Sequence, residues 1–360
     1  LILSNHYAKL RGLNHSTGPK SYERRQKVQA DPLRVMVTGS TGMTGSHTVR
    51  MLLDAGHQVR ALVRDPSKAN RVFDQRSASL QLVKGDITER RTVLDALHEC
   101  DAVIHCAAVV AVGTADGSED LLEINVAGVK NVIGSAIEQG LDRIVHVSSI
   151  ATLFRGDGTV LDEQSEPQES QHAYGQSKTV SERYVRKQQV DGHPVKIVYP
   201  SAVIGPDDPG LSESMVALKA FVEDFVPLTS GGMQFVDARD LAHAHLRILE
   251  SDPGPARYLV AGTFLRWHEV ASIIAAVTGR RPRAWRIPPP VIRGFGRFLD
   301  GVRKAFPVEF PLTAEAADYV TRWDPVPNSE SLAPMGVTFR DVQDSLRDAI
   351  EWLRREGHIK

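Results

Sequence analysis

Residues 35–45 read Val-Met-Val-Thr-Gly-Ser-Thr-Gly-Met-Thr-Gly, and the helix-spaced residues Thr48, Val49, Met51, Leu52 and Leu53 follow at once. An apolar run that breaks into glycines and resumes with helical periodicity is a strand, a tight turn and a helix N-terminus. Such a turn is suited to holding a phosphate. Gly39 lets the chain reverse, Gly42 removes the Cβ that would keep backbone away from a pyrophosphate, and Gly45 lets the helix pack close on the sheet. Thr41 and Met43 lie in the same turn, whose free N–H groups and positive dipole end face the anion. The glycines are three and three residues apart, unlike the one-then-two spacing of the commonest dinucleotide fingerprint, so the downstream residues carry the decision.

From Arg34 on, strand-like and helix-like segments alternate. Strands are expected at Val35–Val37, Gln58–Val63, Leu80–Lys84, Ala102–His105 and Arg143–Ser148, with helices near Ser67–Phe73, Arg91–Leu97 and Ile124–Glu138. That rhythm predicts a parallel doubly wound α/β sheet whose ligand lies beyond the carboxyl ends of the strands. The second strand ends in Val63-Arg64-Asp65. An acid there suits the free ribose hydroxyls of NAD, and an arginine suits the 2′-phosphate of NADP. Arg64 comes first, and Arg71 further on offers a second positive charge. If the chain turned one residue later, Asp65 would face the ribose instead. The third strand ends in Asp86-Ile87, an acid and an apolar side chain for the edge and face of an adenine. The fourth ends in His105-Cys106-Ala107-Ala108, where small residues leave room for ribose and diphosphate.

Beyond the fifth strand stand Ser148-Ser149 and, 25 residues after Ser149, Tyr174-Gly175-Gln176-Ser177-Lys178. Residues four apart share a helix face, so Tyr174 and Lys178 project together. An ammonium beside a phenol favours the phenolate and lowers the tyrosine pKa toward working pH. Such a tyrosine can exchange a proton with a carbonyl or carbinol oxygen.

The combination resembles the extended short-chain dehydrogenase/reductase superfamily, the NAD-dependent epimerase/dehydratase and dihydroflavonol-4-reductase-like proteins. The matching pieces are the glycine turn, Asp86-Ile87, His105 to Ala108, Asn125-Val126-Ala127-Gly128, Ser148-Ser149, Tyr174 to Lys178 and Tyr199 to Pro206. The resemblance implies Tyr174 as general acid/base and Lys178 on the nicotinamide ribose. It gives Ser149 the substrate oxygen, with Ser148 beside it at the cofactor, and Asn125 a support for the fourth helix and a proton relay. Pro200, Ser201, Ala202 and Val203 would line the nicotinamide. The fold implied is a Rossmann domain (33–206 and 233–262) with a smaller substrate-binding domain (207–232 and 263–360), after an N-terminal extension (1–32). One departure stands out: Ile150 to Gly156 reads Ile-Ala-Thr-Leu-Phe-Arg-Gly, without the Tyr-Gly ending usual in sugar-nucleotide epimerases. Helices in 124–138 and 174–187 form a dimerising bundle in many relatives, so a homodimer is an expectation.

The remaining segments add bounds. Of the 360 residues 42% are hydrophobic and 24% charged, an ordinary globular balance. A formal net charge of −1 gives no reason to expect nucleic acid or an anionic membrane as partner. Residues 1–31 lack the apolar core of a secretory signal, and no run approaches the roughly 20 apolar residues of a membrane span. Cys100 and Cys106 are expected as reduced thiols in a cytoplasmic protein. His243 and His245, two apart, cannot share a helix face and so predict no metal site; they are expected at a surface or groove. Val291, Phe295, Phe298, Leu299, Val302 and Phe306 recur at helical spacing among Arg293, Arg297, Arg303 and Lys304. A helix packed on the small domain and bordering the substrate pocket is the expectation, with a lid or a membrane-surface helix as alternatives. Together these residues predict an NADP-dependent oxidoreductase acting on a carbonyl or secondary alcohol of a fairly apolar small molecule. The rivals are an NAD-dependent nucleotide-sugar epimerase/dehydratase and a non-catalytic dinucleotide sensor. A sensor has no need of Ser149, Tyr174 and Lys178.

Overall fold

The alternation of Val35, Met36 and Val37 sends side chains to opposite faces of one strand, and all three are fully buried. A strand apolar on both faces belongs inside a helix-covered parallel sheet. The computed structural model describes residues 31–73, 77–108, 118–170, 173–303 and 314–360, the side chains of 118–121, 173–174, 303 and 315 excepted. Its first half runs β1 (Arg34–Thr38), α1 (Met43–Asp54), β2 (Gln58–Val63), α2 (Pro66–Val72), β3 (Leu80–Lys84), α3 (Arg90–Leu97), β4 (Ala102–His105), α4 (Ser118–Glu138) and β5 (Arg143–Val147). A 3-10 turn (Ile150–Leu153) precedes α5 (Ala173–Val190), β6 (Val195–Pro200), β7 (Ala202–Ile204), α6 (Glu213–Glu223), β8 (Val226–Leu228) and β9 (Gly232–Asp237). Then come α7 (Ala238–Glu250), β10 (Ala256–Val260), β11 (Thr263–Arg266), α8 (Trp267–Thr278), β12 (Ala284–Arg286), α9 (Pro289–Arg303), α10 (Ala314–Arg322) and α11 (Val342–Arg355).

Seven strands pair in the order β10-β6-β5-β4-β1-β2-β3, every pairing parallel. This is the expected Rossmann-type doubly wound sheet. The chain order reverses between β1 and β4, and a crevice opens beyond the carboxyl ends of strands at such a switch point. One core joins Val35 and Val37 to Val49 and Leu52 of α1 and Leu241 and Ile248 of α7. The other joins Met36 and Ile144 to Ile133 of α4 and Val185 of α5. Phe235 to Asp237 do not enter this sheet: β9 pairs with β7 and β11, and the chain returns to the main sheet through β10. A third core under these short strands gathers Met215, Trp267, Ile274, Leu346 and Ile350 from α6, α8 and α11.

His245 corrects an expectation. It is fully buried, with Nδ1 at 2.9 Å from Thr48 Oγ1, so it joins α7 to α1. Thr48 already donates to the Thr44 carbonyl, so His245 Nδ1–H is the donor in that contact. The residue falls on the buried stripe Leu241, Ala244, Ile248, which the two-residue offset from His243 could not reveal. Burial pushes its pKa down to about 3, and the ring is neutral.

Gly39 adopts φ +65°, and a Cβ there would lie 2.7 Å from the Ala107 amide nitrogen, so only glycine fits the reversal. Gly45 presses on the turn itself and not on the sheet, because an added Cβ would collide with the Gly39 carbonyl oxygen. Gly294 in α9 faces open space. Gly45→Ala is therefore expected to lower unfolding free energy by about 1–3 kcal/mol, and Gly294→Ala to raise it by about 0.5–1 kcal/mol. Urea midpoints of the two variants against the parent check both signs.

Candidate active site

α1 begins at Gly42, and no side chain caps it. Its first-turn N–H groups have no partner within the helix, which is the arrangement that receives an anion. The turn closes through Gly42 N to Gly39 O at 3.0 Å, and Ser46 N donates to Gly42 O at 2.9 Å. An added Cβ at Gly42 would meet nothing nearer than 3.5 Å, so packing does not require this glycine and the space in front of it is open. Thr41 is half-buried in the turn, while Met43 is buried and packs toward the third core, its sulfur receiving Ser212 Oγ at 3.4 Å. These residues fit the diphosphate of a dinucleotide.

At the end of β2, Asp65 caps α2, its carboxylate accepting from Ser67 N at 2.8 Å. Arg64, before it, and Arg71, in the last turn of α2, are exposed. Past β3, Asp86 Oδ1 accepts from both the amide and the hydroxyl of Thr88 at 2.9 Å. Ile87 lies against Gly128 of α4, where a Cβ would strike its Cδ1, and Asn131 donates to its carbonyl at 2.8 Å. Half-buried Ala107 and Ala108 follow β4, and Ala107 N donates to Thr38 Oγ1 at 3.2 Å.

Of the residues expected to do chemistry, Lys178 lies within electrostatic reach of His105, Cys106 and His146 on β4 and β5. Ser149 follows β5, and its Oγ accepts from Ala151 N at 3.2 Å, which leaves the hydroxyl proton free to be donated. Ser148 is buried, and its Oγ has no partner among the described residues. Asn125 Nδ2 donates to Ser177 Oγ at 3.0 Å, tying α4 to α5 one residue before Lys178. Tyr174 lies in the first turn of α5, one helical turn ahead of Lys178; its side chain is outside the described residues. Desolvation pushes Lys178 down to about 8, against the opposing pull of Glu182, Glu213 and Cys106. Pro200 ends β6, Ser201 Oγ donates to the Ala261 carbonyl at 2.7 Å, and Ala202 and Val203 open β7.

Three groups beneath this site were given no role of their own in the sequence reading. His105 and His146 occupy paired positions of β4 and β5, both buried, with ring centroids 5.5 Å apart. Burial, with the Lys178 charge adding to it, pushes His105 down to about 3 and His146 well below the usual range, so both rings are neutral. Thr38, whose oxygen accepts from Ala107 N, can give its proton to His105 Nδ1 at 2.7 Å. Glu182, one turn beyond Lys178, is fully buried; it accepts from Arg186 Nε at 2.8 Å and from the Tyr199 hydroxyl. Its four-residue offset from Lys178 was the available signal.

Residues 35–261 match the model of the NAD dependent epimerase/dehydratase family. The chain belongs to that family. This extended short-chain dehydrogenase/reductase is 30% identical over 342 residues to sterol demethylase protein B of Methylococcus capsulatus, covering 91% of this chain and all of the relative. It is 27% identical to cinnamoyl-CoA reductase 2 of Medicago truncatula, over 94% and 96% of the two chains. The Thermus thermophilus UDP-glucose 4-epimerase in complex with NAD shares the fold, with TM-score 0.65 at 21% identity over 89% of this chain and 99% of the epimerase. An NAD(P)-dependent oxidoreductase activity follows from the family and its reductase members. Among the described residues no cluster of His, Cys, Asp or Glu could hold a metal, and no helix is long and apolar enough to cross a membrane.

Lys178 loses its charge as pH rises through about 8. In the direction of carbonyl reduction, kcat/KM is expected to fall as pH rises through about 8. Lys178→Arg keeps its charge at all accessible pH and should remove that descending limb even where turnover is lower. Parallel pH profiles of parent and variant show whether the limb belongs to Lys178.

Proposed function

We propose an NADP-dependent reductase or dehydrogenase acting on a carbonyl or secondary alcohol of a fairly apolar small molecule. The observation that carries the coenzyme choice is the capping bond from Ser67 N to the Asp65 carboxylate. It commits the acid to α2 and leaves exposed Arg64 as the charged group at the end of β2, where a 2′-phosphate needs a cation. Arg71 adds a second charge further out.

A bound nicotinamide supplies or accepts the hydride. Ser149 holds the substrate oxygen through its free proton, Tyr174 gives that oxygen a proton during reduction, and Lys178 keeps the phenol acidic. Asn125, bonded to Ser177, fixes α5 against α4. Gly39, Thr41, Gly42, Met43 and Gly45 receive the diphosphate, Asp86 and Ile87 the adenine, and Ala107, Ala108 and Ser148 the ribose side. Pro200 to Val203 border the nicotinamide. The segments 207–232 and 263–360 form the substrate-binding part.

An apolar substrate is supported by Phe154, at the end of the 3-10 turn that Ser149 begins. Its ring stacks on Trp323 at 5.1 Å with planes 4° apart, and Tyr319 meets it edge-on at 4.9 Å. Such an aromatic wall suits a ring or chain better than a nucleotide sugar. The reductase relatives point the same way. Free Cys100 and Cys106 accord with a cytoplasmic setting, and a homodimer through α4 and α5 belongs to the same reading.

Three substitutions test this. Tyr174→Phe should retain coenzyme affinity while turnover drops roughly 10²- to 10⁴-fold; activity within a few-fold of the parent would remove Tyr174 from the mechanism. Arg64→Ala should cost on the order of 10-fold in kcat/KM with NADPH and leave NADH nearly unchanged, with Arg71→Ala a smaller version. A parent that prefers NADH, or that purifies with NAD tightly bound, would favour the epimerase alternative.

A further inference from the structure

β8 and β12 pair in parallel with Arg286 opposite Leu228, so the two strands end together. The chain leaves them side by side, through Thr229 and Ser230 on one and Ile287 and Pro288 on the other. A shared acceptor brings a third segment to the same point. The Val320 carbonyl of α10 receives the Thr229 hydroxyl at 2.7 Å and the indole N–H of Trp267, the first residue of α8, at 2.8 Å. His268 follows Trp267, and between the three segments lies a cavity of about 490 Å³.

Two kinds of side chain line it. Leu228, Ile287 and the prolines 288 and 289 give an apolar surface, whose shape the locked φ of the prolines helps to fix. Ser230, His268 and Arg286 add one polar group from each segment. All three are exposed, and among the described residues none of these side chains has a hydrogen-bond or ion-pair partner. Thr229 is already engaged: its proton goes to Val320, and its oxygen accepts from Gly231 N at 3.2 Å. Among the described residues no carboxylate lines the cavity. An apolar pocket of several hundred Å³ on which a few polar groups converge is the form of a small-molecule site. Charge selects the ligand, because a guanidinium presents a rigid fork of donors that matches phosphate oxygens. A serine hydroxyl and an imidazole N–H add two more donors.

We propose that this cavity binds an organic phosphate monoester, with Arg286 paired to the phosphate oxygens, Ser230 and His268 completing their hydrogen bonds, and the organic part lying on Leu228, Ile287 and the prolines. It is a site apart from the glycine turn. α10 borders it through Val320, while Tyr319 and Trp323 of the same helix pack on Phe154. The cavity falls within the segments proposed to bind substrate. Its affinity for phosphate requires neither the coenzyme nor the proton-transfer residues, so it stands or falls apart from the oxidoreductase mechanism.

Calorimetric titration of the full chain with phenyl phosphate tests it, with NADPH present at saturation so that coenzyme phosphates fill their own site. Phenyl phosphate should bind saturably and at least ~10-fold more tightly than benzyl alcohol or benzoate, which keep the ring and lack the phosphate. Arg286→Gln should weaken that binding ~10-fold or more and His268→Gln by a smaller factor, with coenzyme affinity unchanged in both. A second readout needs no substitution. Phenylglyoxal modifies accessible guanidinium groups, so phenyl phosphate should slow modification of Arg286 and leave that of exposed Arg91 in α3 unaltered, as read by peptide mass spectrometry. Absence of saturable binding overturns the proposal, as does an Arg286 that phenyl phosphate leaves unprotected. Equal binding of benzyl alcohol or benzoate would remove the phosphate from the assignment, and binding unchanged in Arg286→Gln would place the probe elsewhere; either result overturns it as well.

Discussion

The backbone contact between the first glycine turn and the end of β4 is the constraint on which the site depends. β1 and β4 are neighbours in the sheet although β2 and β3 intervene in the chain, so their ends meet where the winding reverses. Gly39 lies so close to Ala107 that no side chain fits between them, and Thr38 ties the same two ends through its hydroxyl. With those ends fixed, the N-terminus of α1 is aimed across the crevice. Ser149 follows β5, the strand next to β4. The strand order thus makes neighbours of the turn proposed for the diphosphate and the residues proposed for proton transfer.

Lys178 shows how the surroundings adjust a shared chemistry. Burial alone works against its charge, while Glu182 one turn on sustains it. Glu182 is in turn engaged by Arg186 and Tyr199, which hold the carboxylate in place without exposing it to water. Burial lowers the histidines under the site in the same direction, and with the same ammonium it leaves both neutral, so they add no competing charge beneath Lys178.

Much of this was legible in the residues. The bounds of β2, β3 and β4 follow from apolar runs punctuated by glycine and turn residues, and α3 and the C-terminal end of α4 from helical periodicity. The cap at Asp65 was not read from the sequence, where Asp65 stood as a rival for the ribose, although aspartate before a proline at the first helical position was the available signal. What periodicity cannot supply is direction. It finds the stripe Val291, Phe295, Phe298 without saying whether protein or water faces it. It marks His245 on a helix without revealing that α1 will lie across it. The pairing of β9 with β7 and β11 depends on contacts between distant segments and leaves no local trace.

The buried neutral imidazoles carry a consequence for the molecule as a whole. His105 and His245 bind a proton only near pH 3 in the fold, and His146 is held well below its ordinary value, whereas all three would take protons near 6.5 in an unfolded chain. Unfolding therefore draws protons from solution throughout the interval between those values. His105 and His245 each contribute a slope of about 1.4 kcal/mol per pH unit there, and His146 acts in the same direction, so native stability rises with pH from about 3 to about 6.5 and is eroded as acidity increases. The rings that hold α1 to α7 and line the underside of the site thus make this fold acid-labile.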